Sequence, residues 1–233
     1  SSVYRRLQQR LHFRIRVQGH RQVGFSGKPG TGKTLTARYL LSRLPDHTVV
    51  ILSGDGAEQV SDALQLAQAL SPSVVLIEDI DLIARHREEN PVPKLLNEML
   101  DFMDGIAPKV EILFLFTTNQ PKVLEPALAS RPGRIDQVIE FPVPGEAERR
   151  RLFELYSRNA PMEADVASFI ERSRGASGAF IQELIRRAYL FACDEDLAVI
   201  GDAHLDRALQ ELVEVGGDLT HSLLGFHRPG ESS

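Results

Sequence analysis

Cysteine is nearly missing from this chain: Cys193 is the single one among 233 residues, so no internal disulfide can form and a reducing, cytoplasmic compartment is expected. Tryptophan is absent and aromatics make up 6% of the sequence, too few to interleave with basic residues as base-stacking platforms. No apolar run approaches the ~20 residues that a bilayer-crossing helix needs, so no membrane span is expected. The seven histidines are scattered and, with one cysteine, offer no zinc-ligand spacing. There is no helix-turn-helix signature either, and the net charge of −5 disfavours nucleic acid as a partner.

That charge is unevenly spread. The first 21 residues hold Arg5, Arg6, Arg10, Arg14, Arg16 and Arg21 and no acid, which leaves −11 on the other 212. The arm reads as a solvated lead-in to the first strand, with a subunit or anion contact surface as the alternative. It has no long apolar core for a secretory signal. Its arginine-rich, acid-free character is shared with transit peptides, which leaves a mitochondrial location open.

Two halves follow. In the first, short apolar runs alternate with helical stretches: strands are predicted at 22–25, 48–52, 74–77, 112–116 and 137–141, and helices at 33–44, 57–70 and about 93–103. Runs of Val, Ile, Leu and Phe without polar alternation suit strands buried on both faces, so a doubly wound α/β domain with a parallel sheet and right-handed crossovers is expected. After Pro142 and Pro144 the strand signal stops, and helices are predicted at 146–159, 163–172, 177–193 and 202–213. The expected organisation is a basic arm (1–20), an α/β domain (21–144), a small all-α domain (145–224) and a disordered tail (225–233).

The strongest local motif is Gly27-Lys-Pro-Gly-Thr-Gly-Lys33-Thr34, which fits G-x-x-x-x-G-K-[ST] and sits between an apolar strand and a helix. Glycines there let backbone N–H groups turn inward on phosphate oxygens, and the helix start adds partial positive charge. The candidate nucleotide contacts are Lys28, Pro29, Gly30, Thr31, Gly32, Lys33, Thr34 and Leu35, of which Lys28 reads first as facing solvent, with added charge near the phosphates as the alternative. Lys33 is expected to reach the β and γ phosphates and the Thr34 hydroxyl to join a Mg2+ shell.

Three further segments narrow the chemistry. The run Val74-Val-Leu-Ile-Glu78-Asp79-Ile-Asp81 delivers adjacent carboxylates to the C-terminal end of a strand, where ligands of open α/β sheets bind. One can hold the magnesium shell while the other polarises an attacking water. A small-molecule kinase needs only the first. The strand 112–116 ends in Thr117-Thr118-Asn119, whose amide can bond both a γ phosphate and that water. Arg131 and Arg134 flank a Pro-Gly turn from which a guanidinium can reach out to relieve transition-state charge.

Taken together, GKPGTGKT, VVLIEDID, FTTN, LEPALASRPGRIDQVIEF and GASGAFIQELIRRA, in that order and spacing, resemble the AAA branch of the AAA+ P-loop ATPases over roughly residues 21–215. The resemblance implies a five-stranded ATPase domain with a helical lid, using ATP and Mg2+ in a homo-oligomeric, usually hexameric, ring that acts on a protein partner. It also implies Lys33 and Thr34 as the Walker A pair, Asn119 as sensor 1, and Arg131 and Arg134 as the fingers offered to the next subunit. Glu78 takes the metal role, Asp79 the base role, and Gly178 and Ala179 lie near the base and ribose. Two departures matter. The usual acidic order is Asp then Glu; the order here looks like that of the Rieske-protein-translocating type and its bacterial relatives. In addition, the segment between Leu52 and Val74, where the family carries an aromatic pore loop, has no aromatic residue. Slow hydrolysis in a nucleotide-dependent scaffold is therefore the alternative function, and a DNA-associated motor a weaker one resting on the arginine arm.

Overall fold

The computed structural model describes residues 20–53, 59–83, 101–102, 105, 109–120 and 136–215. The chain divides into two compact units, one combining residues up to 27 with 33–141 and the other combining 28–32 with the chain from 142 onward.

The first unit is a five-stranded parallel sheet built from β1 (His20–Ser26), β2 (Thr48–Leu52), β3 (Ser73–Ile77), β4 (Ile112–Thr118) and β5 (Gln137–Glu140), in the order β2-β3-β4-β1-β5. Every residue of β3 and β4 is buried, which is why their sequences run apolar without alternation. Helix α1 (Lys33–Leu41) supplies Ala37 and Leu40 to one cluster with Val74, Leu76, Leu113 and Leu115. Phe25 joins it edge-on to Phe141, with ring centroids 5.3 Å apart, a pairing worth ~1 kcal/mol beyond the area buried. Helix α2 is Val60–Ala69, and α3 is the single turn Ile80–Ile83.

Several boundaries differ from the sequence prediction. Helix α1 stops at Leu41 rather than Leu44 because its exit tightens, with Arg43 N–H donating to Leu40 and Leu44 N–H to Leu41, ahead of Pro45, which disfavours helical backbone at the residue before it. Helix α2 starts at Val60 rather than Ala57, and residues 54–58 lie outside the described set. Of the predicted helix at 93–103, Asp101 and Phe102 are helical and the rest lies outside the described residues. Strand β4 continues through Thr117 and Thr118, which pair with Phe25 and Ser26 of β1.

The second unit holds α4 (Glu146–Tyr156), α5 (Val166–Arg172), α6 (Gly178–Asp194) and α7 (Asp202–Gln210), followed by a wider turn at Glu211–Val215. Its core gathers Phe153, Phe169, Ile170, Phe180, Ile181, Leu184, Leu205 and Leu212. It is not all-α as predicted: β6 (Met162–Glu163) and β7 (Ile200–Gly201) form a two-residue parallel pair. Helix α5 accordingly starts at Val166 instead of Glu163, capped by the Asp165 carboxylate, which accepts N–H bonds from Ala167 and Ser168. Helix α6 is capped by Ser177, whose hydroxyl accepts from Phe180 N–H at 3.2 Å.

Candidate functional site

The strand order puts the C-terminal ends of β3, β4 and β1 side by side, so the acidic segment, the polar strand tip and the start of the glycine loop share one end of the sheet. Gly27 leaves β1 with its N–H on the Thr118 carbonyl at 3.3 Å. Its φ of +149° and the Phe141 carbonyl, which a Cβ would strike, admit only glycine there.

Lys33 opens α1 and is 5% exposed. Its ammonium donates to the Gly27 carbonyl at 2.7 Å and to Asn119 Oδ1 at 2.8 Å. Burial holds its pKa below the usual lysine value, and the carboxylates of Asp79 and then Asp81 oppose that shift. Asn119 passes the link on, its Nδ2 donating to Asp79 Oδ1 at 3.0 Å. Lys33, Asn119 and Asp79 thus form one hydrogen-bonded chain across three elements.

Asp79 sits just past β3 with φ +48°, a left-handed backbone that aspartate tolerates better than most side chains. Its N–H donates to the buried Thr117 hydroxyl at 2.8 Å, which fixes this bend. Burial first, and the neighbouring Asp81 second, push the Asp79 carboxyl above the ordinary aspartate range, against the pull of Lys33 and Asn119. Glu78 behaves differently: its carboxylate is largely covered and meets the Arg38 guanidinium of α1, with both oxygens 3.5 Å from Nη2.

The remaining predicted contacts are more varied in exposure. Lys28 is exposed, and its carbonyl accepts the Thr31 hydroxyl at 2.8 Å. Pro29, Gly30, Gly32 and Thr34 are half-buried, while the Leu35 side chain faces out at 68% exposure. Within the second unit, Ala179 N–H donates to the Gly30 carbonyl at 3.2 Å, bringing the predicted pair Gly178 and Ala179 against the middle of the loop. A Cβ on Gly30 would come within 2.5 Å of Ser177 Oγ, and its φ of +73° adds a second demand for glycine. Arg131 and Arg134 lie outside the described residues.

A loop of left-handed glycines followed by a buried lysine suits a polyphosphate, and a hydroxyl with a carboxylate is a hard-oxygen set suited to Mg2+. The sequence of residues 23–143 matches the family described as "ATPase family associated with various cellular activities (AAA)". The chain belongs to the AAA ATPase family. Similar AAA chains include the 26S proteasome regulatory subunit 6B homolog of Dictyostelium discoideum, 32% identical over 82% of this chain and 51% of the relative. The ATP-dependent zinc metalloprotease FtsH of Cutibacterium acnes is 32% identical over 80% of this chain and 28% of its own length. The proteasome-activating nucleotidase of Archaeoglobus fulgidus is 29% identical over 89% of this chain and 56% of its own. This AAA chain therefore spans between about a quarter and about half the length of these curated relatives.

Asp81 is a residue of this site that sequence reasoning did not single out. It is 3% exposed, and its Oδ1 accepts from Thr118 Oγ1 at 2.9 Å and from Asn119 N–H at 3.1 Å. Its letter was visible in the acidic run, but its burial depends on β4 lying beside β3.

Proposed function

We propose that this chain is the ATP-hydrolysing module of a ring-forming machine, usually hexameric, that splits ATP at subunit interfaces and passes the resulting change to a protein partner. The hydrogen-bonded chain from Lys33 through Asn119 to Asp79 carries this reading, because it joins a phosphate-binding cation, a polar sensor and a base at one strand end. Residues 28–35 would receive the triphosphate, with Gly178 and Ala179 toward the nucleoside. Thr34 and Glu78 would hold Mg2+, which supplies positive charge to the phosphate oxygens when bound. Asp79 would orient a water against the γ phosphorus and draw its proton as the new P–O bond forms and the bond to the bridging oxygen breaks. Arg131 and Arg134 of one subunit would relieve charge in the site of the next. In this reading residues 21–144 are the ATPase domain and 145–224 its lid. The Glu78-Asp79 order resembles that of the Rieske-translocating type, and the segment between Leu52 and Val74, which has no aromatic residue, does not support a cycle in which an aromatic loop threads the partner.

A slower, scaffold-like cycle is the second reading. Glu78 is engaged by Arg38, and Asp79 is one methylene shorter than the usual glutamate, so both acids start from positions that catalysis has to change. Turnover per subunit against protein concentration separates the two. A motor climbs as rings assemble, and a flat, very low rate sinks the motor reading. In the same assay Asp79→Asn should lose ~100-fold in turnover, and full activity would remove Asp79 from the base role.

A further inference from the structure

We propose that Asp81 is the positioning residue that holds the Asn119 sensor in register, an inference that rests on the site reading above. The pairing of β3 with β4 ends at Ile77↔Phe116, whereas β4 runs on through Thr117 and Thr118 with β1 on its other side. Among the described residues the side of β4 facing β3 has no ladder beyond Phe116, and side chains stand in for it. Thr117 Oγ1 accepts from Asp79 N–H, and Asp81 Oδ1 accepts from Asn119 N–H as a strand carbonyl would. The same oxygen takes the Thr118 hydroxyl, whose oxygen in turn accepts Gln120 N–H at 3.0 Å. One buried atom therefore holds the backbone of Asn119 directly and, through the Thr118 hydroxyl, that of Gln120.

The side chain of Asn119 depends on that anchor. Its amide must bridge Lys33 and Asp79 at 2.8 and 3.0 Å, distances at which a displacement of about 1 Å dissolves both bonds. Asp81 makes no hydrogen bond of this set to Lys33 or Asp79, so its positioning effect runs through Asn119, and the charge by which it also acts on both groups is separated from that effect by Asp81→Asn, which removes the charge and keeps the acceptor. Its removal should impair turnover while sparing nucleotide binding, which the glycine loop dominates.

The test measures ATP turnover and fluorescent-ATP affinity in Asn119→Ala, Asp81→Ala, Asp81→Asn and the double alanine variant. Asn119→Ala and Asp81→Ala should each lower kcat ~10- to 100-fold with affinity held within ~3-fold. Asp81→Asn keeps an acceptor at Oδ1 and should recover turnover to within ~3-fold of the parent. The double variant should be no slower than Asn119→Ala, because both act on one device. Full turnover in Asp81→Ala beside a slow Asn119→Ala overturns the proposal, as does an Asp81→Asn as slow as Asp81→Ala or a fully additive double variant. Parent-like turnover in Asn119→Ala overturns instead the reading of Asn119 on which the proposal stands. If Asp81→Ala fails to fold, Thr118→Val slowed ~3- to 10-fold beside an active Asp81→Asn supports the proposal, and the reverse pattern refutes it.

Discussion

Among the described residues each unit buries one long cation, and the two are held in opposite ways. In the sheet unit Lys33, 5% exposed, bonds a loop carbonyl and the amide oxygen of Asn119, within a set of groups whose ionisation burial has shifted. In the helical unit Arg149, 4% exposed, donates to the carbonyls of Ile170 and Pro144 at 3.0 and 3.1 Å. Arg149 satisfies backbone acceptors that would otherwise be stranded, which is a structural task. Lys33 sits where its partners can be exchanged for phosphate oxygens, at a stability cost that the fold tolerates. Burial alone therefore does not mark function; the identity of the partners does.

The largest expected effect breaks this comparison at Lys33. Lys33→Ala should lower ATP turnover by ~1000-fold while leaving the unfolding free energy within ~1 kcal/mol, since the charge it removes was disfavoured by burial. Arg149→Met should do the converse, costing ~2 kcal/mol in denaturant melts with turnover per folded molecule intact. If both variants lose stability equally, the contrast between the two cations collapses.

The smallest effect lies on the surface of the helical unit. Glu183 faces Arg186 and Arg187, whose hydrogen bonds and charge hold its carboxyl at about 2 against an ordinary 4.5. A depressed folded-state value stabilises above the unfolded pKa and is lost as pH falls through the folded one. The margin of the parent over Glu183→Gln should thus be full above about pH 5, shrink between about 4.5 and 2, and vanish below. Because solvent screens these groups it should not exceed ~1 kcal/mol, and a margin independent of pH would show that the pair contributes through packing instead.

Much of the first unit was legible because its signals are local. The apolar runs that became β3 and β4 need no partner to be recognised, and the glycine motif announces its own backbone demands. What stayed hidden depends on neighbours distant in sequence. Thr117 and Thr118 read as a polar strand end, yet they pair with β1 as full members of β4. Asp81 looked like one more acid until the sheet order placed Asn119 beside it, 38 residues along. Arg149 sits in a helix rich in charge, EAERRRLFELY, where periodicity does not tell the buried arginine from Arg150 and Arg151. The pair β6 and β7 is two residues long on each side, below what alternation can reveal.

That small pair also ties the openings of two helices to each other. Ile200 N–H donates to the Pro161 carbonyl, and Asp165 N–H, at the cap of α5, donates to the carboxylate of Asp202, the first residue of α7. Neither helix can fray from its start without releasing a bond that belongs to the other. Their leading amides should therefore exchange with solvent deuterium as one cooperative group, on a common timescale.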